Sequence, residues 1–180
     1  MKDEESVVME YRMKDGSWHS LRFIEKKRDE NGRLTSLCFE SGTPLASGGT
    51  RWLVAVDGSA HSLHALVEAI RLAGQIQDCS LDLITVQHWL SREAAEAELG
   101  KRGWQAAEKA LALLTATAIP WRLHVAMGEA AETIVAHATR LGCQTIVVGS
   151  RGLTATENLL IGSVAYKVIH LSPTSVLVVR

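Results

Sequence analysis

The chain has 180 residues, 47% hydrophobic and 22% charged, with a formal net charge of −1, an ordinary globular balance with room for one domain and an appendage. Its acidic and basic residues are interspersed, which excludes the bulk positive field that nucleic-acid and anionic-membrane binders use. No apolar run approaches the roughly 18 residues of a membrane span, and the start Met1-Lys2-Asp3-Glu4-Glu5 lacks a signal-peptide core; with three widely spaced cysteines and no C-x-x-C pair, a reducing cytoplasm fits best.

The first 42 residues predict an antiparallel β-meander. Val7 to Met13 reads as a strand. Lys14-Asp15-Gly16-Ser17 reads as a turn, because Asp-Gly tolerates the positive φ of a tight hairpin. Trp18 to Glu25 alternates as a second strand, Arg28 to Arg33 turns around Asn31-Gly32, and Leu34 to Glu40 is a third strand. A lone three-stranded sheet buries little, so it is expected to dock on the rest of the chain or on a partner. The Gly, Ser and Thr content around residues 43–50 predicts a linker.

From residue 51 strands alternate with helices. Strands are predicted at Trp52–Val56, Leu81–Val86, Trp121–Ala126, Thr145–Val148 and Ser175–Val179. Helices are predicted at Ala60–Gln75, Ser91–Thr117, Glu129–Leu141 and Ser163–Leu171, from apolar residues recurring with helical period such as Leu63, Leu66, Val67 and Ile70. Pro120 stops the second helix and Gly142 suits the cap of the third. The alternation predicts an α/β domain over residues 51–180, with a five-stranded parallel sheet covered by helices on both faces.

Two strand ends carry the candidate chemistry. Asp57-Gly58-Ser59 follows the first of these strands. Gly149-Ser150-Arg151-Gly152 follows the fourth, and Gly162-Ser163 opens the next helix after a nine-residue spacer. Ligands of open α/β sheets bind beyond the carboxyl ends of strands where the order reverses. The order 3-2-1-4-5 sets both motifs on one crevice. Glycines permit positive φ and let backbone N–H groups approach an anion, and a helix N-terminus attracts phosphate. Ser163 is placed to donate to a phosphate oxygen, and Arg151 either to add a cation or to point into solvent.

Gly149-x2-Gly152-x9-Gly162-Ser163, with Val54-Ala55-Val56-Asp57-Gly58-Ser59 upstream and Pro173-Thr174-Ser175-Val176-Leu177-Val178-Val179 at the close, resembles the universal stress protein family over about 130 residues. In the ATP-binding branch of that family the matching loop holds phosphates and ribose. The resemblance therefore implies nucleotide contacts for Gly149, Gly152, Gly162, Ser163 and Val164, a nucleotide or Mg2+ contact for Asp57, and an adenine contact through the backbone of Val86. It implies ATP, with Mg2+, as cofactor, a stress-response or signalling role, and a homodimer formed through Val176–Val179. Three positions depart from the family pattern: Thr85 replaces a histidine, Gln144 an aspartate and Ser175 a proline. The turns Lys14-Asp15-Gly16-Ser17-Trp18 and Arg28-Asp29-x2-Gly32-Arg33 resemble the last strands of a PAS sensor domain, too short for its ligand pocket.

Other signals carry less. There is no P-loop and no dinucleotide fingerprint. Cys38, Cys79 and Cys143 are widely spaced and odd in number, expected as buried small hydrophobes. His61 and His64 share a helix face without a completing ligand. Trp52, Trp89, Trp104 and Trp121 are expected to pack, with Trp89 also able to flank a base. With no general base or arginine finger evident, slow ATP hydrolysis is the most catalysis expected. The alternative is a dimeric interaction module that binds no nucleotide, with the meander as its partner surface.

Overall fold

The computed structural model describes residues 8–12, 18–42, 45, 48–153 and 161–180. The predicted turn at Lys14–Ser17 and most of the first half of the linker lie outside the described residues. Three strands open the chain, β1 (Val8–Arg12), β2 (Trp18–Arg28) and β3 (Leu34–Glu40). They are followed by β4 (Arg51–Ala55), α1 (Ala60–Ala73), β5 (Ser80–Gln87), α2 (Arg92–Thr115) and β6 (Trp121–Met127). The chain closes with α3 (Ala130–Leu141), β7 (Thr145–Gly149), α4 (Ser163–Leu171) and β8 (Ser175–Val179).

The parallel strands run β6-β5-β4-β7-β8, which is the 3-2-1-4-5 sequence of the second part of the chain. The sheet does not stop at five strands. β3 pairs antiparallel with β6, Leu37 opposite Val125 and Cys38 opposite His124, so β1, β2 and β3 extend one mixed sheet of eight strands. This corrects the expectation of a five-stranded sheet with a separate small meander. The physical reason is the edge: without β3, the backbone N–H and C=O groups along one side of β6 would stand unpaired. Residue alternation shows that a strand is amphipathic but not which edge it will join. Ser41 continues the ladder one residue further, donating its N–H to the Trp121 carbonyl at 3.1 Å.

Local chemistry explains the helix limits. Ser59 caps α1, its hydroxyl oxygen accepting the Ser62 N–H at 3.2 Å, and Ser91 caps α2 in the same way through Ala94. α3 ends at Gly142, whose φ of 68° is left-handed. α1 and α2 each stop two residues before the predicted ends, and β2 runs three residues past Glu25 because its hairpin partner β3 supports it.

Both sheet faces are buried. Val54, Leu81, Leu83, Leu123 and Val125 pack with Leu66, Leu99, Leu111 and Leu114 on one face. Leu53, Ile84, Ile146 and Val148 pack with Ile134, Ala138 and Val168 on the other. Leu21, Leu34 and Phe39 of the meander join the first of these clusters, which is how the appended strands gain the apolar burial they lack alone. α2 approaches β6 closely at Gly103, where a β-carbon would sit 2.2 Å from Val125 Cγ1.

A polar seam crosses the second face. Asp82 is fully buried and takes two N–H bonds from Arg51, at 2.7 and 3.0 Å, while His124 Nε2 lies 2.7 Å from its other oxygen. Burial alone would raise the Asp82 pKa, but His124 and Arg51 hold its carboxyl below the usual range. On β3, buried Glu40 is paired with Arg22 and with Arg122. The three cysteines are buried and unpaired, and burial pushes the Cys38 and Cys143 thiols up to about 12, so neither is poised to react. No helix among the described residues is long and apolar enough to cross a membrane.

Candidate functional site

The crevice is built where β4 and β7, hydrogen-bonded neighbours, release the chain. After β4 the chain turns at Gly58, whose φ of 83° is left-handed. Asp57 shapes that turn: its Oδ1 accepts the Ser59 N–H at 2.9 Å, the pattern of an Asx turn. Its Oδ2 accepts the Leu153 N–H from the loop after β7 at 3.2 Å. One carboxylate thus ties the two strand exits together.

Two of the three loop glycines, Gly149 and Gly152, have a steric rather than a torsional reason. None of Gly149, Gly152 and Gly162 adopts a left-handed φ, which corrects the expectation that positive φ selects them. At Gly149 a β-carbon would lie 2.7 Å from the backbone of His61, so this glycine lets the first turn of α1 pass. At Gly152 a β-carbon would lie 2.8 Å from Asp57 Oδ2. At Gly162 it would meet the Ser150 carbonyl and Arg151 Cα at 3.4 Å.

Ser150 locks the loop. Its N–H donates to the Val179 carbonyl at 2.6 Å, and its own carbonyl accepts the Gly162 N–H at 2.7 Å. The tip of β7, the end of β8 and the start of α4 are therefore joined at one residue. Ser150 is 1% exposed and its hydroxyl has no hydrogen-bond partner among the described residues, a costly arrangement for a buried donor. α4 starts behind Gly162, which has an extended backbone and supplies no side-chain cap. The N–H groups of Ser163, Val164 and Ala165 thus have no partner within the helix.

Of the residues predicted for the site, Asp57, Gly149, Arg151, Gly152 and Gly162 come together by these contacts, and Ser163 and Val164 follow on exposed first-turn positions of α4. Val86 stands half-buried near the end of β5, the neighbour of β4. The spacer positions 154–160 lie outside the described residues. The Gln144 departure is absorbed: its N–H donates to the Arg51 carbonyl at 2.9 Å, and its side-chain oxygen accepts the Arg51 N–H at 2.7 Å. β7 thereby enters in register with β4. His61 and His64 form an edge-on ring pair on α1, and among the described residues no group of three metal-ligating side chains converges.

Sequence reasoning missed Ser150 and the Leu153 amide. Neither has a local signal, since the burial of Ser150 is imposed by β8 and the Leu153 contact is made by its backbone. The expectation that all four tryptophans pack fails at Trp89. Trp104 and Trp121 are buried, whereas Trp89 is 55% exposed beyond the end of β5.

Fold and site together define an α/β protein whose glycine-rich strand exits meet at its switch point. The model of the universal stress protein family matches residues 50–180, and the chain belongs to that family. The Universal stress protein YxiE of Bacillus subtilis (strain 168) is 32% identical over 148 residues, covering 72% of this chain and 98% of that protein. Among solved structures, the universal stress protein UspA from Lactobacillus plantarum superposes with a TM-score of 0.63 at 22% identity, covering 75% of this chain and all of that one. A universal stress protein crystallised in complex with cAMP matches at a TM-score of 0.56 and 27% identity, covering 74% of this chain and 99% of that one.

Proposed function

We propose that residues 51–180 form an ATP-binding domain that acts as a stress-response or signalling module, with the phosphates on the loop Gly149–Gly152 and the N-terminus of α4. The carrying observation is the start of α4 at Gly162, which no side chain among the described residues caps, tied through the Ser150 carbonyl to the tip of β7 and set beside the Asp57 carboxylate. The related protein solved with cAMP supports an adenine nucleotide as the ligand class. In this reading the Ser163 and Val164 amides and the Ser163 hydroxyl donate to phosphate, Arg151 supplies a cation, and Gly152 leaves room at Asp57. Val86 meets adenine through its backbone. Asp57 is the residue that would hold Mg2+ against the phosphates, where the ion neutralises their charge.

Each charge-assisted hydrogen bond contributes about 1.5–3 kcal/mol, so a few of them reach the roughly −8 kcal/mol of micromolar binding. Asp57 is already engaged by two backbone N–H groups, which suits holding rather than proton abstraction, and the domain is assigned binding with at most slow hydrolysis. Within the appendage of residues 1–42, joined through 43–50, strands β1, β2 and β3 extend the sheet, and the appendage offers a surface for a protein partner. The opposite edge is β8, whose half-buried Val176–Val179 flank exposed Tyr166 and Ile169 of α4; an open apolar edge strand is the place for a second copy. Nucleic acid and membrane are not partners in this reading, and the compartment is the cytoplasm.

Calorimetry with ATP and Mg2+ on the wild-type chain and on Gly162→Val tests the crevice. A β-carbon at 162 would already touch the Ser150 carbonyl and Arg151 Cα at 3.4 Å, so the two further methyl groups of Val should crowd the loop, and binding should vanish while the circular dichroism spectrum is kept. Equal affinity in the two chains overturns the assignment.

A further inference from the structure

Trp89 is a large aromatic residue that the packing of the core does not use, yet it is held in place. The turn joining β2 and β3 reaches across to the segment between β5 and α2. Within that turn Gly32 adopts a left-handed φ of 75°, and Asp29 accepts the Asn31 and Arg33 amides at 3.0 and 2.9 Å. Asp29 also fixes the Arg33 guanidinium through Nε at 3.0 Å. The Arg33 guanidinium carbon then stands 5.3 Å from the centroid of the Trp89 ring, within cation–π range, and one of its nitrogens donates to the Leu90 carbonyl at 3.5 Å. Arg28 binds the Gly32 carbonyl at 2.8 Å and pairs with Glu96 on α2, which anchors the whole turn.

The other neighbour of Trp89 is Gly128, at the end of β6. Its N–H donates to the Gln87 carbonyl at 3.0 Å. A β-carbon there would lie 3.9 Å from Trp89 Cζ2 and 2.5 Å from Thr133 Oγ1. The indole therefore stands over the carboxyl ends of β5 and β6, three residues past Val86. Asp57 follows β4, the next strand over. Adjacent strands are about 4.8 Å apart and β7 is the second strand from β5, so Trp89 stands about 10–12 Å along the sheet from the phosphate end of the crevice.

We infer that Trp89, held by Arg33 of the appended hairpin, is the stacking wall of the base subsite, so that the meander sets the crevice's preference for nucleotides over bare polyphosphate. This rests on the nucleotide reading of the crevice. The guanidinium covers part of the ring, and with 55% of the residue open there is room for a second planar group. Base-on-aromatic stacking is sequence-tolerant and strong enough to change affinity by about 5- to 100-fold.

The test uses the full chain, with ATP titrated directly and inorganic tripolyphosphate measured by competition. Trp89→Ala should weaken ATP by about 5- to 100-fold while changing tripolyphosphate by less than about two-fold. Trp89→Phe, which keeps a stacking face, should restore most of the ATP affinity. Arg33→Ala should lose ATP affinity in the same direction, and by less than Trp89→Ala. ATP binding by Trp89→Ala equal to a binding wild type overturns the stacking wall alone, as does an equal loss of both ligands. A wild-type chain that binds neither ligand overturns the crevice reading and this inference together.

Discussion

Asp57 and Leu153 are 96 residues apart in sequence, yet the Leu153 N–H donates to Asp57 Oδ2 at 3.2 Å. That bond fixes the distance between the exits of β4 and β7. The neighbouring Gly152 is what makes room for it, because a β-carbon there would stand 2.8 Å from the same oxygen. Gly152→Ala should therefore displace the carboxylate and weaken ATP by about tenfold or more, one lost charge-assisted bond being worth about 1.5–3 kcal/mol. Gly152 is exposed, so the urea midpoint should move little. Calorimetry beside urea unfolding separates the two effects, and a large stability loss with unchanged affinity would contradict this role.

Gly103 carries no nucleotide role and makes a contrasting case. It lies inside α2, where glycine costs about 1 kcal/mol against alanine. A β-carbon would nonetheless overlap the Val125 side chain at 2.2 Å. Gly103→Ala should destabilise the chain by about 1–3 kcal/mol through overpacking, despite its better helix propensity. Pairing it with Val125→Ala should recover part of the loss. Thermal or urea unfolding of the single and double variants measures this coupling.

The meander is expected to unfold with the rest of the sheet. Phe39 is buried and meets Phe23 edge-on with centroids 5.8 Å apart, and its strand is the antiparallel partner of β6. Phe39→Ala should cost about 3–5 kcal/mol and shift a single cooperative transition. Separation into two transitions in denaturant, read by fluorescence and circular dichroism together, would show instead that residues 1–42 fold independently.

How much of this was legible beforehand follows from the range of each signal. The βα alternation and the cap of α3 are local, so the strand at Trp52–Val56, observed one residue earlier, and the Gly142 cap could be read directly, whereas the capping role of Ser59 was not read. The order of the parallel strands followed from requiring Asp57 and Gly149 to share a crevice. The union of β3 with β6 was not legible, because backbone pairing leaves no residue-specific mark and Leu37 opposite Val125 resembles many other apolar pairs. The glycines were found for an incomplete reason. Their spacing was visible, but their steric cause depends on where His61 and Asp57 arrive in space. Trp89 was visible as an aromatic residue past a strand, whereas the Arg33 that holds it lies 56 positions earlier in the chain.

The last expectation concerns pH. His137 on α3 donates from Nδ1 to the Thr133 carbonyl at 2.9 Å, and its ring centroid lies 6.0 Å from that of His124. Burial lowers its pKa from 6.5 to about 4, with Arg140, His124 and Lys27 adding to the effect and the Thr133 carbonyl opposing it. Between those two values the unfolded chain takes up a proton at this site that the folded chain does not. Stability should therefore be retained above pH 6.5 and fall as the pH drops from 6.5 toward about 4, by on the order of 1–3 kcal/mol from this residue. His137→Gln keeps a donor for the Thr133 carbonyl and cannot titrate, so its stability should vary less across that window. Asp82 adds a separate loss at lower pH. Its folded pKa is depressed, so its contribution is present above about pH 3.9 and disappears as the pH falls through the folded value. Urea unfolding of both chains at several pH values between 7 and 4 would decide the matter, and parallel curves would show that His137 does not carry the acid sensitivity.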